Sequence, residues 1–230
     1  MSNNKDTLGN RIKGYESVSK PLLTRRSPVF VRVDGKAFHT FTRGCNKPYD
    51  QDLIDAMVYA TEQTARRMQG FELAYTQSDE ATFMLWDFRE LETQPWFGYE
   101  LNKVVSITAS TFTAYFNRYW FGVLEKPYGS ITPVFDARAF NVPLDDWPNV
   151  FIWRQRDWER NSIQMLARSL YSHKKLHGKS TVELKELCNL LDKDWDKQSG
   201  QHKYGTFIDD KYQHVSFRMN YDELKGMEKL

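Results

Sequence analysis

The chain has 230 residues, 40% of them hydrophobic and 27% charged, with 32 basic side chains against 30 acidic ones for a formal net charge of +2. That balance fits a folded globular chain, excludes a disordered one and gives no whole-molecule pull toward nucleic acid, although a local basic face stays open. No apolar run approaches the roughly 20 residues that span a bilayer. Residues 1–20 are polar and charged, so no secretory signal is visible, and they read as an irregular or helical lead-in. Cys45 and Cys188 lie far apart without CxxC spacing, which fits neither a zinc site nor a disulfide framework and points to a reducing, cytoplasmic setting. Aromatic residues make up 15% of the chain, enough to fill a core or to stack on bases.

In chain order, Val29-Phe30-Val31-Arg32-Val33 is a β-branched run that reads as a buried strand ending at Asp34-Gly35. Residues 49–69 read as a helix, with Leu53, Met57, Ala60 or Thr61, Ala65 and Met68 on one face and Gly70 as its C′ stop. Residues 71–75 and 81–86 read as two strands of a hairpin, joined by the polar stretch 76–80. A second long helix is expected over about 99–120 and a strand over 133–140. The order β-α-β-β-α-β is the split-βαβ, ferredoxin-like arrangement, an α+β class. Beyond Pro148 the pattern changes. Residues 150–171 read as a helix rich in Arg, Gln and Trp, and Ser180 or Thr181 caps another with Glu183 in its first turn. Residues 192–203 read as a loop, and 204–207 with 215–219 as a terminal hairpin. The expected division is a palm-like unit over 1–144 and an accessory helical and hairpin region over 145–230 packed on it.

Two acidic positions stand at strand ends in this scheme. Asp34 follows the first strand, and Asp79 and Glu80 lie in the hairpin turn. Antiparallel central strands bring them to one edge of the sheet. Converging carboxylates with a backbone carbonyl suit Mg²⁺, a hard cation that keeps water and phosphate in its other positions, and Gly35 has no Cβ to keep its carbonyl away. Each signal alone is more often an ordinary turn. The residues by themselves carry the reading as far as metal-dependent phosphoryl or nucleotidyl transfer, with that plain alternative open.

The segments Val31-Arg32-Val33-Asp34-Gly35-Lys36-Ala37-Phe38-His39 and Gln77-Ser78-Asp79-Glu80-Ala81-Thr82-Phe83 resemble the two signatures of the tRNA-His guanylyltransferase family. Asn46-Lys47-Pro48, Lys103-Val104-Val105, Phe135-Asp136-Ala137-Arg138 and Trp153-Arg154-Gln155 resemble further segments of that family, in the same order. The resemblance implies a polymerase-palm core that adds nucleotides 3′-to-5′ at the 5′ end of tRNA. ATP or GTP activates the 5′-monophosphate, and the 3′-hydroxyl of an incoming GTP then attacks it. It implies that Asp34, Gly35 and Asp79 bind two Mg²⁺ ions, that Glu80 supports the site, and that residues Asp34, Gly35, Lys36, Ala37, Phe38 and His39 with Ser78 cradle the triphosphate. Lys47 and Lys103 would neutralise phosphate charge. Homotetrameric assembly is a family expectation, and no membrane partner is implied.

Eukaryotic members carry His-Ile-Asn-Asn after Trp-Arg-Gln, whereas this chain has Glu159-Arg160-Asn161-Ser162 and keeps only Asn161. The resemblance therefore leans to the guanylyltransferase-like branch, which adds template-matched nucleotides to tRNA, over strict G addition to tRNA-His. A palm-fold nucleotidyl cyclase or phosphodiesterase, or a non-catalytic RNA-binding module, are the competing readings. Arg154 with Asn161, and Lys174 with Lys175 in a basic loop, are the candidate tRNA contacts; a solvated helix face and an ordinary surface loop explain them as well.

Overall fold

The computed structural model describes residues 7–127 and 131–227. The expected lead-in over 1–20 is thus described from residue 7, where it is helix α1 (Thr7–Ser17), and its first six residues lie outside the described ones. Strand β1 (Val29–Gly35), the short α2 (Phe38–Phe41) and α3 (Gln51–Ala65) precede the hairpin of β2 (Phe71–Gln77) and β3 (Glu80–Leu85). Helix α4 (Leu101–Asn117) leads to β4 (Phe135–Asn141) and the long α5 (Trp147–Leu170). Next come α6 (His173–Leu176), α7 (Thr181–Asn189), α8 (Gly200–Tyr204), β5 (Thr206–Asp209), β6 (His214–Val215) and α9 (Tyr221–Met227).

The six strands form one sheet in the order β4-β1-β3-β2-β5-β6, and every neighbouring pair is antiparallel. The first four strands have the spatial order of the expected βαββαβ unit. Strands β5 and β6 extend the same sheet from the β2 edge, so the second half of the chain contributes to it directly.

Alternation along β1 divides the core. Val29, Val31 and Val33 face α3 and α4, while Phe30 faces the other way, toward α5. Helix α3 starts at Asp50, whose carboxylate accepts the Leu53 amide at 3.0 Å, and buries the small residues Ala56, Ala60 and Ala65, which let it lie close to the strands. Helix α4 buries Val104, Thr108, Phe112 and Phe116, one residue per turn. On the opposite face, Trp147 and Phe151 of α5 pack on Phe30, Tyr75, Met84 and Phe207. A third cluster joins Ile163 and Leu166 of α5 to Leu184, Cys188 and Trp195.

Several expectations are corrected. Helix α3 closes at Ala65, and Gly70 serves the entry into β2 instead: its φ is +75°, and a Cβ there would sit 2.5 Å from the Trp86 carbonyl oxygen. The second long helix runs on as a π turn over Arg118–Val123. The stretch read as a loop over 192–203 ends in α8, capped by the Ser199 hydroxyl, a helix too short to show a period in sequence. The terminal hairpin is shorter than expected, and α9 follows it. The capping box of Ser180 and Glu183 is present as read.

Candidate active site

Gln77 pairs with Glu80, so Ser78 and Asp79 alone make the turn of the β2–β3 hairpin. Such two-residue turns need positive φ at one or both central positions, and Ser78 supplies it with φ +50°. A non-glycine residue there costs on the order of 1–2 kcal/mol. The Ser78 hydroxyl donates to Asp79 Oδ1 at 2.9 Å. The Gly35 amide donates to the Asp79 carbonyl at 3.0 Å, which ties the end of β1 to this turn. Asp34 is thus brought beside Asp79 by backbone pairing.

Directly paired residues of neighbouring strands point to the same face. Asp34 pairs with Glu80 on one side and Asp136 on the other; Arg32 pairs with Thr82 and Arg138; Phe30 pairs with Met84 and Phe140. A carboxylate row, an arginine row and an apolar row therefore follow one another up one face of the sheet. Helix α5 covers this face over β3, β2 and β5. Over β4 the face is open, with Asp136 and Arg138 side chains 62% and 52% exposed.

The charges on this face divide into paired and unpaired. Arg154 of α5 grips Glu80 with both ends of its guanidinium, Nε to Oε1 and Nη2 to Oε2, each at 2.6 Å, and both side chains are buried. Asp136 takes Arg138 at 3.1 Å. Among the described residues, Asp34 and Asp79 have no Lys or Arg partner within ion-pair distance. Burial is the main force holding the Asp79 carboxyl above its usual range; the Ser78 hydrogen bond opposes it and the negative charge of Asp34 adds to it. Burial also raises Glu80, against the pull of Arg154 and Arg32. Two adjacent carboxylates without a cation, one of them buried, form an arrangement that a divalent cation relieves. Among the described residues no group of three or more His, Cys, Asp or Glu side chains forms a cage, so such an ion would take much of its shell from backbone, water or phosphate.

Gly35 has a packing role of its own. A Cβ there would lie 2.3 Å from the Phe38 ring, which is buried against Phe41, Phe116 and Phe135. The Phe38 side chain therefore anchors the loop, and any contact this residue makes with phosphate falls to its backbone. The Lys36 amide is already held by the Val134 carbonyl at 2.9 Å, while the amides of Ala37, Phe38 and His39 find no acceptor among the described residues. Ala37 sits at φ +55° where α2 begins. Beside Asp79 opens a cleft of about 240 Å³, lined by His39, Thr42, Asn46, Lys47 and Ser78, with Met165 of α5 on its far wall.

Asp34, Gly35, Lys36, Ala37, Phe38, His39, Lys47, Ser78, Asp79 and Glu80 thus gather around one end of the sheet. Lys103 does not. Thr113 and Asn117, near the other end of α4, bond Phe135 and Pro133 beside Gly35. Lys103 lies ten residues earlier in the helix, about 15 Å back along its axis. Arg154 is corrected as a tRNA contact: it is buried and held by Glu80. Asn161 donates to Asp157 at 3.2 Å. Lys174 and Lys175 are exposed past the end of α5, about 25 Å along that helix from Arg154. Asp136, Arg138 and Asn46 stand in the family-like segments without having been assigned to the site: the alternation of β4 places Asp136 and Arg138 on the face of Asp34, and Asn46 lines the cleft with Thr42, which carries no local signal.

The tRNAHis guanylyltransferase family model matches residues 9–143. A mimivirus protein, R259, is 28% identical over 88% of this chain and 77% of its own length. A probable tRNA(His) guanylyltransferase from mouse is 30% identical over 59% of this chain, and the match spans only 45% of the mouse protein. A bacterial tRNA(His) guanylyltransferase-like protein solved with ATP is 34% identical, with a TM-score of 0.87 and 97% of each chain covered. A related bacterial complex with GTP is 35% identical at a TM-score of 0.73, covering 89% of this chain and 84% of that one. The tRNA(His) guanylyltransferase of Saccharomyces cerevisiae, 22% identical at a TM-score of 0.78 with 90% of this chain and 95% of that one covered, shares the fold.

Proposed function

This chain belongs to the tRNA-His guanylyltransferase family, and on that premise we propose that it is a nucleotidyltransferase that adds guanylate or template-matched nucleotides to the 5′ end of tRNA in the 3′-to-5′ direction. ATP or GTP activates the 5′-monophosphate, and the 3′-hydroxyl of the incoming nucleotide displaces the activating group. Asp34, the Gly35 carbonyl and Asp79 hold the divalent cations, read as two Mg²⁺ ions. Bound there, Mg²⁺ would neutralise the phosphates and polarise the phosphorus under attack. Glu80 is a supporting residue: its charge is spent on Arg154, and the pair fixes the strand position of Asp34 opposite it. The incoming triphosphate follows the loop of Lys36, Ala37, Phe38 and His39 with Ser78, and Lys47, in the adjoining cleft, neutralises phosphate charge.

The observation that carries this reading is the meeting of Asp34 and Asp79 without a basic partner among the described residues. Positioning and charge neutralisation are most of what phosphoryl transfer asks of a protein. The test is incubation of 5′-monophosphorylated tRNA with ATP and labelled GTP. Extension at the 5′ end supports the reading; a cyclic nucleotide or short fragments favour a cyclase or phosphodiesterase.

The guanylyltransferase-like branch is preferred because Glu159-Arg160-Asn161-Ser162 stands where eukaryotic members carry His-Ile-Asn-Asn, and Asn161, the one residue kept, is engaged by Asp157. Equal extension of 5′-truncated tRNAs of several identities supports that branch, and activity on tRNA-His alone returns the reading to strict G addition. A cytoplasmic setting and a homotetramer complete the reading. The first is supported by the free thiols of Cys45 and Cys188, the second by the family resemblance. Among the described residues no helix is long and apolar enough to cross a membrane.

A further inference from the structure

Trp153 is a large aromatic side chain left 57% exposed, while Trp147 and Trp158 on the same helix are buried. The Arg154 guanidinium lies over its ring, 4.6 Å from the centroid. That guanidinium is fixed in turn by Glu80, and Glu80 is the direct cross-strand partner of Asp34. A chain of contacts thus runs from the carboxylate pair to a flat ring whose surroundings are open. On the face of the sheet that carries Asp34 and Glu80, Arg32 and Arg138 form the basic row one step up from Asp34; Arg138 also holds Asp136, and the buried Arg32 Nε has no hydrogen-bond partner among the described residues.

The position of Trp153 separates it from the nucleotide cleft. Met165, which walls the cleft, lies twelve residues further along α5, about 18 Å away along the helix axis. Arg154, between them in sequence, sits above Glu80. The carboxylates therefore stand between the cleft and Trp153. In-line displacement at phosphorus requires the attacking and leaving oxygens on opposite sides, so a nucleotide in the cleft leaves the Trp153 side for the second substrate.

We propose that Trp153 is the stacking platform for the base at the 5′ end of the RNA acceptor, held flat by Arg154, with Arg32 and Arg138 receiving the adjoining phosphate. This rests on the reading of the site as one that extends RNA. Stacking of a base on an aromatic side chain strengthens binding by roughly tenfold or more and tolerates any base, because each has a π face. Such a platform suits an acceptor whose 5′ end differs from one tRNA to the next.

The test uses the full chain and a 5′-monophosphorylated tRNA carrying 2-aminopurine as its 5′-terminal base, with a second tRNA labelled in the anticodon loop as control. Wild-type protein is expected to quench the terminal probe and leave the control unchanged. Trp153→Ala should abolish the quench, weaken tRNA binding about tenfold and raise KM for tRNA, with KM for GTP unchanged; Trp153→Phe should keep most of each. Absence of quench by the wild type, or a Trp153→Ala variant indistinguishable from it, overturns the proposal. So does a Trp153→Ala variant whose weaker binding follows a smaller assembly on gel filtration, which would assign the ring to a contact between copies. Quench without nucleotide addition by the wild type would leave the platform standing and remove the proposed function.

Discussion

Replacing Arg154 by methionine tests the buried contact that fixes the site. The Arg154 and Glu80 side chains are only 10% and 11% exposed, and both guanidinium contacts are 2.6 Å. The nearest alternative partner, Asp157, is 3.6 Å from Arg154 and already holds Arg160. Methionine fills similar space without charge and leaves Glu80 buried beside Asp34 and Asp79. Breaking a buried pair by removing one partner costs about 3–5 kcal/mol, because the remaining charge is uncompensated. At roughly 2–4 °C per kcal/mol for a chain of this size, the thermal midpoint should fall by about 6–20 °C. Glu80→Gln should cost less than Arg154→Met, since it keeps a hydrogen-bond acceptor for the guanidinium. The double variant should recover part of the loss, as expected for directly coupled residues. Melting followed by circular dichroism at low and high salt is the assay, and salt should change the difference little because the pair is shielded from solvent. A loss below about 1 kcal/mol for Arg154→Met, or one that vanishes in high salt, would be the behaviour of an exposed pair and would refute this reasoning.

Further outcomes follow from the same geometry. The raised Asp79 carboxyl means that its ionisation opposes folding: the cost is present above its folded-state pKa and absent below the ordinary aspartate value of 3.8. Asp79→Asn should therefore melt higher than the wild type at pH 7 without divalent cations, with the gain fading as the pH falls toward that value; a lower midpoint at pH 7 contradicts the assignment. Gly35→Ala drives a methyl group into the Phe38 ring at 2.3 Å, and overpacking of this kind costs about 1–3 kcal/mol; both stability and nucleotide addition should drop, and unchanged activity would show that the loop yields freely. Lys47→Ala should raise KM for the incoming nucleotide severalfold, while Lys103→Ala should leave it unchanged within one chain's site. A matching defect in Lys103→Ala would mean that another copy brings this residue to the cleft.

The positions of Asp34 and Asp79 were legible because two local signals coincide with one topology. Alternating valines set the faces of β1, and a two-residue polar turn sets the hairpin register. The antiparallel order then brings the two ends together without any longer-range information. The role of Arg154 was not legible in this way. Its partner Glu80 lies 74 residues away, and an arginine among charged neighbours on a long helix looks solvated until the face that meets the sheet is known. Lys103 fails for a related reason, since the helix that carries it points its other end at the site. The short elements α8, β5 and β6 are formed by tertiary context. Gly205, at φ +71° where a Cβ would sit 2.6 Å from the Tyr75 hydroxyl, marks the close approach that starts β5, but one glycine in a polar stretch does not announce a strand. Asp136 was visible in the sequence, yet its place beside Asp34 depends on the register between β1 and β4, which periodicity leaves open.

The central claim is that Asp34 and Asp79 together hold the cations for 5′-end addition. The most direct measurement supplies 5′-monophosphorylated tRNA, ATP, labelled GTP and Mg²⁺ to the wild type, Asp34→Asn and Asp79→Asn, each first shown to be folded. The wild type should give a tRNA extended at its 5′ end, and both variants should lose this activity by several orders of magnitude. Extension at the 3′ end, or full activity in either folded variant, would contradict the account.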